Sequence, residues 1–377
     1  MITNNMNLQD IKKGKWQYLA SREISILFGS LVTQSFQETF PRTGIKGIEA
    51  ALATDVINCG FDLVFKSYRK VSALKESTDF FVKTFKNNPE RIDDIYKLAV
   101  QATNEANTNI SKLSKLSPHL SKNNLKDFYG LFRESFVSFF PLQVFPFSLE
   151  QVLNGAGEAD LVEQYKDTLV EWRGDVHETE IKLEDFLGIF LKQSKEILDI
   201  DFKYWSDKEV MDYFNNSITL THTIIESRKK YSVIVFNTDL TPPYLVIDGI
   251  EAEKIYTAMD EMTKIKVAGT EFKGKPIYPG HIKAKAFVIE KKKDFENIPN
   301  EAVVIARVIE MDDIRWIKVK NIAAAITEEG GLTTHIAIVG RELKIPTIVG
   351  VKGIVEIVKT GDLVDVDSND GIVRILK

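Results

Sequence analysis

The sequence has 377 residues, of which 44% are hydrophobic and 27% charged, and its formal net charge is −5. These values are typical of a soluble globular protein with two or three domains, and they exclude a general affinity for nucleic acid or anionic membranes. The single cysteine, Cys59, excludes an internal disulfide framework and favours a reducing cytoplasm, so we expect it to fill core space. No apolar signal region opens the sequence and no run reaches membrane-spanning length, which also favours a cytoplasmic location without membrane contact.

Residues 1–264 predict a large all-α domain that binds a substrate or a partner. Their apolar residues recur at helical spacing, and strand-like alternation is scarce. The predicted helical segments are 21–36, 45–68, 74–85, 88–112, 125–140, 162–198, 207–233 and 249–264.

The segment 133–151 is dense in phenylalanine and is interrupted by Pro141 and Pro146. This pattern predicts a kinked helix in the core. The alternative is an apolar wall for an organic substrate.

Two charged clusters in this domain are candidates for an acceptor site. The first contains Arg173, His177 and Glu178, and the second contains Arg228 beside Lys229 and Lys230. Most such clusters are solvated helix faces. The alternatives are an acid/base pair in the first cluster and a phosphate-steering patch in the second. A metal site is not expected, because His177, Glu178 and Glu180 do not share one helix face.

Residues 265–277 predict a linker, since Gly269, Gly274 and Pro276 lie among charged residues. Beyond the linker, short apolar runs alternate with helical segments. The predicted strands are 284–289, 302–306, 322–326, 347–349, 363–366 and 372–376, and the predicted helices are 312–319, 334–343 and 351–358.

One junction in this region predicts a chemical site. A buried strand ends near Thr327, Gly330 and Gly331 allow a sharp turn, and Thr333 and Thr334 are suitable N-cap residues. His335 should therefore lie in the first turn of a helix. The positive end of a helix disfavours imidazolium, so the ring should stay neutral and nucleophilic.

A phosphoryl group on this histidine would be held by backbone amides and by the hydroxyls of Thr333 and Thr334. A histidine that takes a phosphoryl group and passes it on needs these features. The alternative is a surface histidine beside a helix cap.

The segment 327–350 resembles the phosphohistidine signature of PEP-utilising enzymes, which include PEP synthase, pyruvate phosphate dikinase and rifampicin phosphotransferase. Ser is usual at Thr334, and Ile336, Gly340 and Lys344 replace Ala, Ala and Gly. The matching residues are Thr327, Gly330, Gly331, Thr333, His335, Ala337, Ile338, Arg341, Glu342, Ile345, Pro346 and Gly350.

The resemblance implies that residues 278–377 form a compact β/β/α phosphohistidine domain, called the mobile or swivelling domain. The whole chain would then be a multidomain α and α/β protein. His335 would be the catalytic residue. Gly330, Gly331, Thr333, Thr334 and Arg341 would bind phosphate, with Glu342 supporting them.

The family also implies partners for this chain. The sequence ends directly after the histidine domain and lacks the pattern of an ATP-grasp domain, so ATP and Mg²⁺ are expected on a separate ATP-grasp subunit. This chain would bind no cofactor itself and would be inactive without that subunit. The arrangement is similar to the histidine-bearing subunit of a split enzyme such as phenylphosphate synthase.

The function that follows is a dikinase-type phosphotransferase component. His335 would carry a phosphoryl group from the partner's ATP, with release of AMP and phosphate, to an unknown small-molecule acceptor at the helical domain. The alternatives are a phosphohistidine carrier or regulatory module without an acceptor of its own, and a purely structural partner that has lost activity. PEP synthesis is disfavoured by the missing PEP/pyruvate barrel, and a homo-oligomer stays open.

Overall fold

The computed structural model of the protein divides the chain into two compact units, Met1–Thr263 and Lys264–Lys377. The first domain is predicted from sequence to end at residue 264. The structure describes residues 11, 13–53, 55–216, 218–238, 240–263, 270–290, 292–309, 311–330 and 334–376.

Long helices dominate the N-terminal unit, as their apolar periodicity predicts. They bury a core rich in aromatic side chains, in which Trp172, Tyr129 and Phe132 are fully enclosed. The described helices are α1 (Ile26–Thr39), α2 (Ile48–Ala53), α3 (Val71–Asn87), α4 (Arg91–Leu116), α5 (Leu125–Gly155), α6 (Ala159–Gln164), α7 (Lys166–Leu198), α8 (Asp207–Asn216), α9 (His222–Lys230) and α10 (Gly249–Thr263).

A five-stranded antiparallel sheet accompanies these helices, with strand order β1-β3-β2-β4-β5. Helix α10 packs on one face, where Cys59 is buried, and burial raises the pKa of its thiol to about 12. The expectation that Cys59 fills core space therefore agrees with its environment. The strands are β1 (Trp16–Glu23), β2 (Val56–Phe61), β3 (Val64–Lys70), β4 (Ser232–Phe236) and β5 (Tyr244–Asp248).

The sheet corrects the prediction of an all-α domain, most clearly for the predicted helix 45–68. Strands β2 and β3 form a hairpin whose loop is Asp62 and Leu63, with φ of 45° and 66°. Both values are positive, as a type I′ turn requires. A Cβ at Gly60 would lie 1.9 Å from the Val64 carbonyl oxygen, so only glycine fits before this turn.

Helix α5 contains Pro141 and Pro146, and its phenylalanines lie in the core. Pro141 cannot donate to the carbonyl of Val137 four residues earlier, and the Thr39 hydroxyl donates to that oxygen instead, at 2.7 Å. The prediction of a kinked core helix therefore fits this environment better than the apolar substrate wall.

Helix α5 is also long and apolar enough to cross a membrane by length and composition alone, with half of its most apolar window buried in the unit. The expectation that no run reaches that length is wrong for this helix. A core helix of a soluble protein passes the same test, so the length is weak evidence for a membrane segment.

The C-terminal unit is built on an eight-stranded mixed sheet of order β6-β13-β12-β8-β9-β10-β11-β7. Strands β8, β9, β10 and β11 are parallel neighbours, and the outer pairs are antiparallel. The strands are β6 (Glu271–Lys273), β7 (Lys275–Tyr278), β8 (His281–Val288), β9 (Val303–Ala306), β10 (Ala324–Thr327), β11 (Thr347–Val349), β12 (Leu363–Asp367) and β13 (Ile372–Leu376), and the helices are α11 (Met311–Val319), α12 (His335–Glu342) and α13 (Ile354–Ile357).

Both faces of the central strands are buried, which explains their continuous apolar sequence. Along β10, Ala324 and Ile326 face one core, and Ala325 faces the other, against α11 and α12. The multidomain α and α/β class is confirmed. The linker prediction needs correction: residues 271–278 form β6 and β7, whereas 264–269 lie outside the described residues.

Candidate functional site

The predicted phosphohistidine directly follows the loop between β10 and α12. Thr327 ends β10, and its hydroxyl donates to the Glu329 carbonyl at 2.6 Å. Thr334 is the N-cap of α12, in extended conformation, and His335 is the first helical residue. The predicted place of His335 in the first turn is therefore confirmed. Gly331, Thr333 and the His335 side chain lie outside the described residues, so their roles stay predictions.

Gly330 determines how closely the loop folds onto the helix start. Its φ is +125°, a value that L side chains rarely adopt. A Cβ at Gly330 would lie 3.2 Å from Thr334 Oγ1 and 3.5 Å from Thr327 Oγ1. Glycine thus lets the backbone approach both threonines, and it brings the end of β10 close to the N-terminus of α12.

Glu328 anchors the same loop, although the signature residues named above do not include it. Its carboxylate is buried and accepts a hydrogen bond from the Val355 amide, at the start of α13, at 2.9 Å. Burial raises the pKa of Glu328, and Arg307 lies 3.9 Å away as a partial counter-charge. The position of Glu328 just before the glycine pair at 330–331 is the sequence signal that could have indicated this anchoring role.

Backbone hydrogen bonds fix both sides of this loop. The amides of Glu328 and Glu329 donate to the carbonyls of Ala306 and Arg307, and the Val351 amide donates to the Thr327 carbonyl, at 2.9–3.1 Å. The turn before His335 is therefore tied to the end of β9 and to the segment after β11. Such a support would position a reacting group.

Arg341 and Glu342 lie at the opposite end of α12 and are exposed. Six residues separate Arg341 from His335, which corresponds to about 9 Å along the helix axis. Phosphate binding by Arg341 and a supporting role for Glu342 both stay predictions.

Helix α12 ends in a Schellman motif that places Lys344 in the left-handed region, with φ of +56°. The Ile345 amide donates to the Gly340 carbonyl at 2.9 Å, and the Lys344 amide donates to the Arg341 carbonyl. Lys344 stands where the resembled signature has glycine. The lysine is strained here because its Cβ disfavours the positive φ.

We expect Lys344→Gly to stabilise the end of α12 by about 1 kcal/mol, because glycine has no Cβ penalty at this φ. Hydrogen-exchange mass spectrometry of peptides spanning residues 335–349 should show slower exchange. Lys352→Gly is the matched control, since Lys352 is exposed and lacks positive φ. Equal protection in both variants would contradict the strain at Lys344.

The first predicted acceptor cluster is only partly brought together. Arg173 forms an ion pair with Glu150 across the α5–α7 contact, and His177 Nδ1 lies 3.8 Å from Glu180. Glu178 is highly exposed and pairs with Lys182 at 2.6 Å. Glu178 therefore belongs to a solvated helix face, and it is not an acid/base partner of His177 in this arrangement. No described cluster of three or more His, Cys, Asp or Glu residues could hold a metal ion.

Arg228 is wrongly predicted as an exposed acceptor-site cation, because it is buried. Its guanidinium donates two hydrogen bonds of 2.8 Å to the Glu209 carboxylate and one of 2.6 Å to the Tyr204 carbonyl. Asp248 lies 3.6 Å from Nε. Arg228 therefore joins α9 to α8 and β5 and is not available to steer phosphate.

The exposed members of the second cluster line an open groove of about 820 Å³ beside α9. Lys229 pairs with Glu226 at 2.6 Å, and Phe61 and Ile250 contribute apolar surface. Opposite charges are thus mixed along this groove.

The C-terminal unit is an α/β domain in which a glycine-bent loop presents a histidine at a helix start. Residues 298–371 match the sequence model of the family described as PEP-utilising enzyme, mobile domain. This match places residues 298–371 of the C-terminal unit in the PEP-utilising enzyme mobile domain family, as the signature predicts.

The chain is also similar to individual named proteins. The chain is 35% identical over 117 residues to a probable phosphoenolpyruvate synthase of Pyrococcus abyssi, covering 31% of this chain and 14% of the relative. It is 36% identical over 83 residues to a phosphoenolpyruvate-protein phosphotransferase of Mycoplasma pneumoniae, covering 22% and 14%. A solved structure of Enzyme I has 16% identity and a TM-score of 0.21, covering 75% of this chain and 79% of that one. The chain thus spans about a seventh of the length of these curated relatives.

Proposed function

We propose that this protein is the histidine-bearing component of a phosphotransferase and that His335 carries the phosphoryl group. The observation that carries this proposal is the position of His335 as the first residue of α12, after a loop bent at Gly330, in a mobile domain of the PEP-utilising family. Backbone amides at a helix start bind anions, and the helix dipole keeps an imidazole neutral. Both properties suit a histidine that attacks a phosphoryl group and then holds it.

The phosphoryl donor in this proposal is ATP bound, with Mg²⁺, to a separate ATP-grasp subunit. The ring nitrogen of His335 attacks the β-phosphorus and displaces AMP, and water then cleaves off the γ-phosphoryl group as phosphate, which leaves the β-phosphoryl group on His335. The C-terminal unit then delivers the group to an acceptor bound at the N-terminal unit. Covalent storage on His335 divides one transfer between distant sites into two local transfers. The reaction class is transfer of phosphorus-containing groups, and this chain is inactive alone.

The test combines the full chain with candidate ATP-grasp proteins and ATP labelled at the β-phosphate. We expect label to stay on this chain, to be lost in acid and to survive in base, as an N-linked phosphate does. A folded chain that takes no label from any candidate would contradict the proposal. Label that is taken up but passed to no small molecule would favour the carrier or regulatory module.

A further inference from the structure

A polar cleft lies between α1, α4, α5 and α8 in the N-terminal unit, with a volume of about 350 Å³. Charged side chains of both signs line its wall together with Val137 and Met211, and more of the exposed wall surface is apolar than polar. The charged and polar lining residues are Glu38, Thr39, Arg42, Glu105, Asn109, Arg133, Glu134 and Ser138.

Arg133 is the best-fixed group in the cleft. Its Nε donates to both oxygens of Asp207 at 2.9 Å, and its Nη2 donates to Glu38 at 3.0 Å. Asp207 is itself held, because it accepts from the Tyr129 hydroxyl at 2.6 Å and its amide donates to Ser30 Oγ at 2.8 Å. Asp207, Tyr129 and Ser30 are all buried, so the guanidinium has one orientation at the cleft wall.

A contribution to stability does not by itself explain this hydrogen-bond network. Burying an Asp207–Arg133 pair carries a desolvation penalty that well-packed apolar residues of similar size avoid. Burial alone lowers the pKa of Arg133, but the charges of Asp207 and Glu38 raise it overall, so the guanidinium stays cationic. A fixed cation beside a cleft is instead the arrangement expected of a binding site.

Two further charged groups in the cleft are held only loosely. Arg42 forms a long ion pair with Glu105, at 3.9 Å, which is beyond hydrogen-bond distance. Glu134 is exposed and forms no ion pair within the described part of the chain. The cleft thus offers a cation that can meet an incoming phosphoryl group and a carboxylate that can accept a proton.

The chemistry of the wall selects the ligand class. Carboxylates, an asparagine and hydroxyls bind donors and acceptors spaced along a small molecule, as in a polyhydroxy compound. A volume near 350 Å³ is at the small end of ligand sites and suits a sugar-sized molecule. The apolar part of the wall can contact the carbon skeleton of such a compound. A large aromatic substrate would leave the charged groups unpaired.

Gly130 is one of the residues that line this cleft. It lies in the middle of α5, where glycine is a weak helix former, and a Cβ there would meet no atom within 4 Å. Packing therefore does not require glycine at this position. A side chain at residue 130 would instead project into space that borders the cleft.

We infer that the cleft binds the phosphoryl acceptor, a small polyhydroxy compound, with Arg133 and Arg42 facing the transferred group and Glu134 as the base. This inference rests on the proposed function. In the step, an acceptor hydroxyl oxygen attacks phosphorus and forms the new P–O bond. The P–N bond to His335 breaks with its electron pair returning to the imidazole, and the hydroxyl proton passes to Glu134.

The test uses Gly130→Leu in the full chain, which fills the cleft while favouring the helix. Gly174→Leu in α7 is the matched control, because a Cβ at Gly174 also meets nothing within 4 Å and Gly174 is not a cleft residue. Each protein is incubated with a protein-free extract of cells, and retained compounds are identified by mass spectrometry. Each is also loaded with labelled phosphoramidate, and transfer of label to the extract is followed.

We expect the wild type and Gly174→Leu to retain a polyhydroxy compound and to phosphorylate it, and Gly130→Leu to lose at least about nine-tenths of both signals. Equal retention by Gly130→Leu, retention of no compound by the wild type, or retention of only apolar compounds would overturn the cleft assignment. Retention that depends on Gly130 without transfer from a loaded His335 would support the cleft as a binding site and contradict the proposed transfer. Failure of the cleft assignment and failure of the proposed transfer from His335 therefore give different results.

Discussion

Replacing His335 by alanine should abolish acid-labile phosphorylation of the chain, with a loss of at least about a thousand-fold in the rate of labelling. The reason is that the label is covalent and needs the ring nitrogen as its nucleophile. Removing that nitrogen leaves the helix start intact but gives the phosphoryl group no attachment. The measurement is the label retained after gel filtration, with ATP-grasp partner and β-labelled ATP or with phosphoramidate as donor.

His281→Ala is the matched control, because His281 belongs to the same unit and carries an imidazole of a different kind. His281 is the first residue of strand β8 and not of a helix. Its Nε2 lies 2.6 Å from the Asp365 carboxylate. We expect this variant to take label from ATP as the wild type does. If label persisted in His335→Ala and disappeared in His281→Ala, the phosphoryl group would be carried by His281, which would contradict the role proposed for His335.

The C-terminal unit could be predicted from sequence because its local and tertiary signals agree. Runs such as Val303–Ala306 and Ala324–Thr327 are buried on both faces, so each reads as continuous apolar sequence. The turn at Gly330 and the helix stop at Pro346 bound the helix that carries His335. Strands β6 and β7 were missed because Gly274 and Pro276, which typically mark a linker, lie between or within them.

The sheet of the N-terminal unit could not be predicted in the same way. Strand β2 is enclosed by helices on both faces, so it lacks the alternation that marks a half-exposed strand. The β2–β3 turn uses Asp62 and Leu63 at positive φ, whereas Asn-Gly or Asp-Gly is the usual signal. Without that signal, the segment 45–68 resembles one amphipathic helix.

The cleft around Arg133 shows a second limit of sequence reasoning. Its residues come from segments as far apart as Glu38 and Met211, and no short spacing relates them. The clusters that were proposed from sequence instead joined neighbours such as His177 and Glu178, which lie on different sides of one helix. Proximity along a helix predicts a shared site only at spacings of three or four residues.

Arg228→Ala should destabilise the N-terminal unit by about 3–5 kcal/mol at neutral pH, because it leaves the partly buried Glu209 carboxylate without its cation. A phosphate-steering residue on the surface would instead change stability by less than about 0.5 kcal/mol. The measurement is urea unfolding followed by tryptophan fluorescence, since Trp16, Trp172 and Trp205 all lie in this unit. Lys230→Ala, an exposed neighbour on the same helix, is the control and should unfold like the wild type.

The pH dependence of the same experiment separates a lost ion pair from a lost packing contact. Burial alone would raise the pKa of Glu209, but its hydrogen bonds with Arg228 lower it below the ordinary value of 4.5. A lowered pKa means that the ionised carboxylate stabilises the fold above pH 4.5 and that this stabilisation is lost as the pH falls through the lowered pKa. The difference between wild type and Arg228→Ala should therefore shrink in acid. A difference that stayed constant from neutral pH down to acid would show that Arg228 acts through packing and not through its charge.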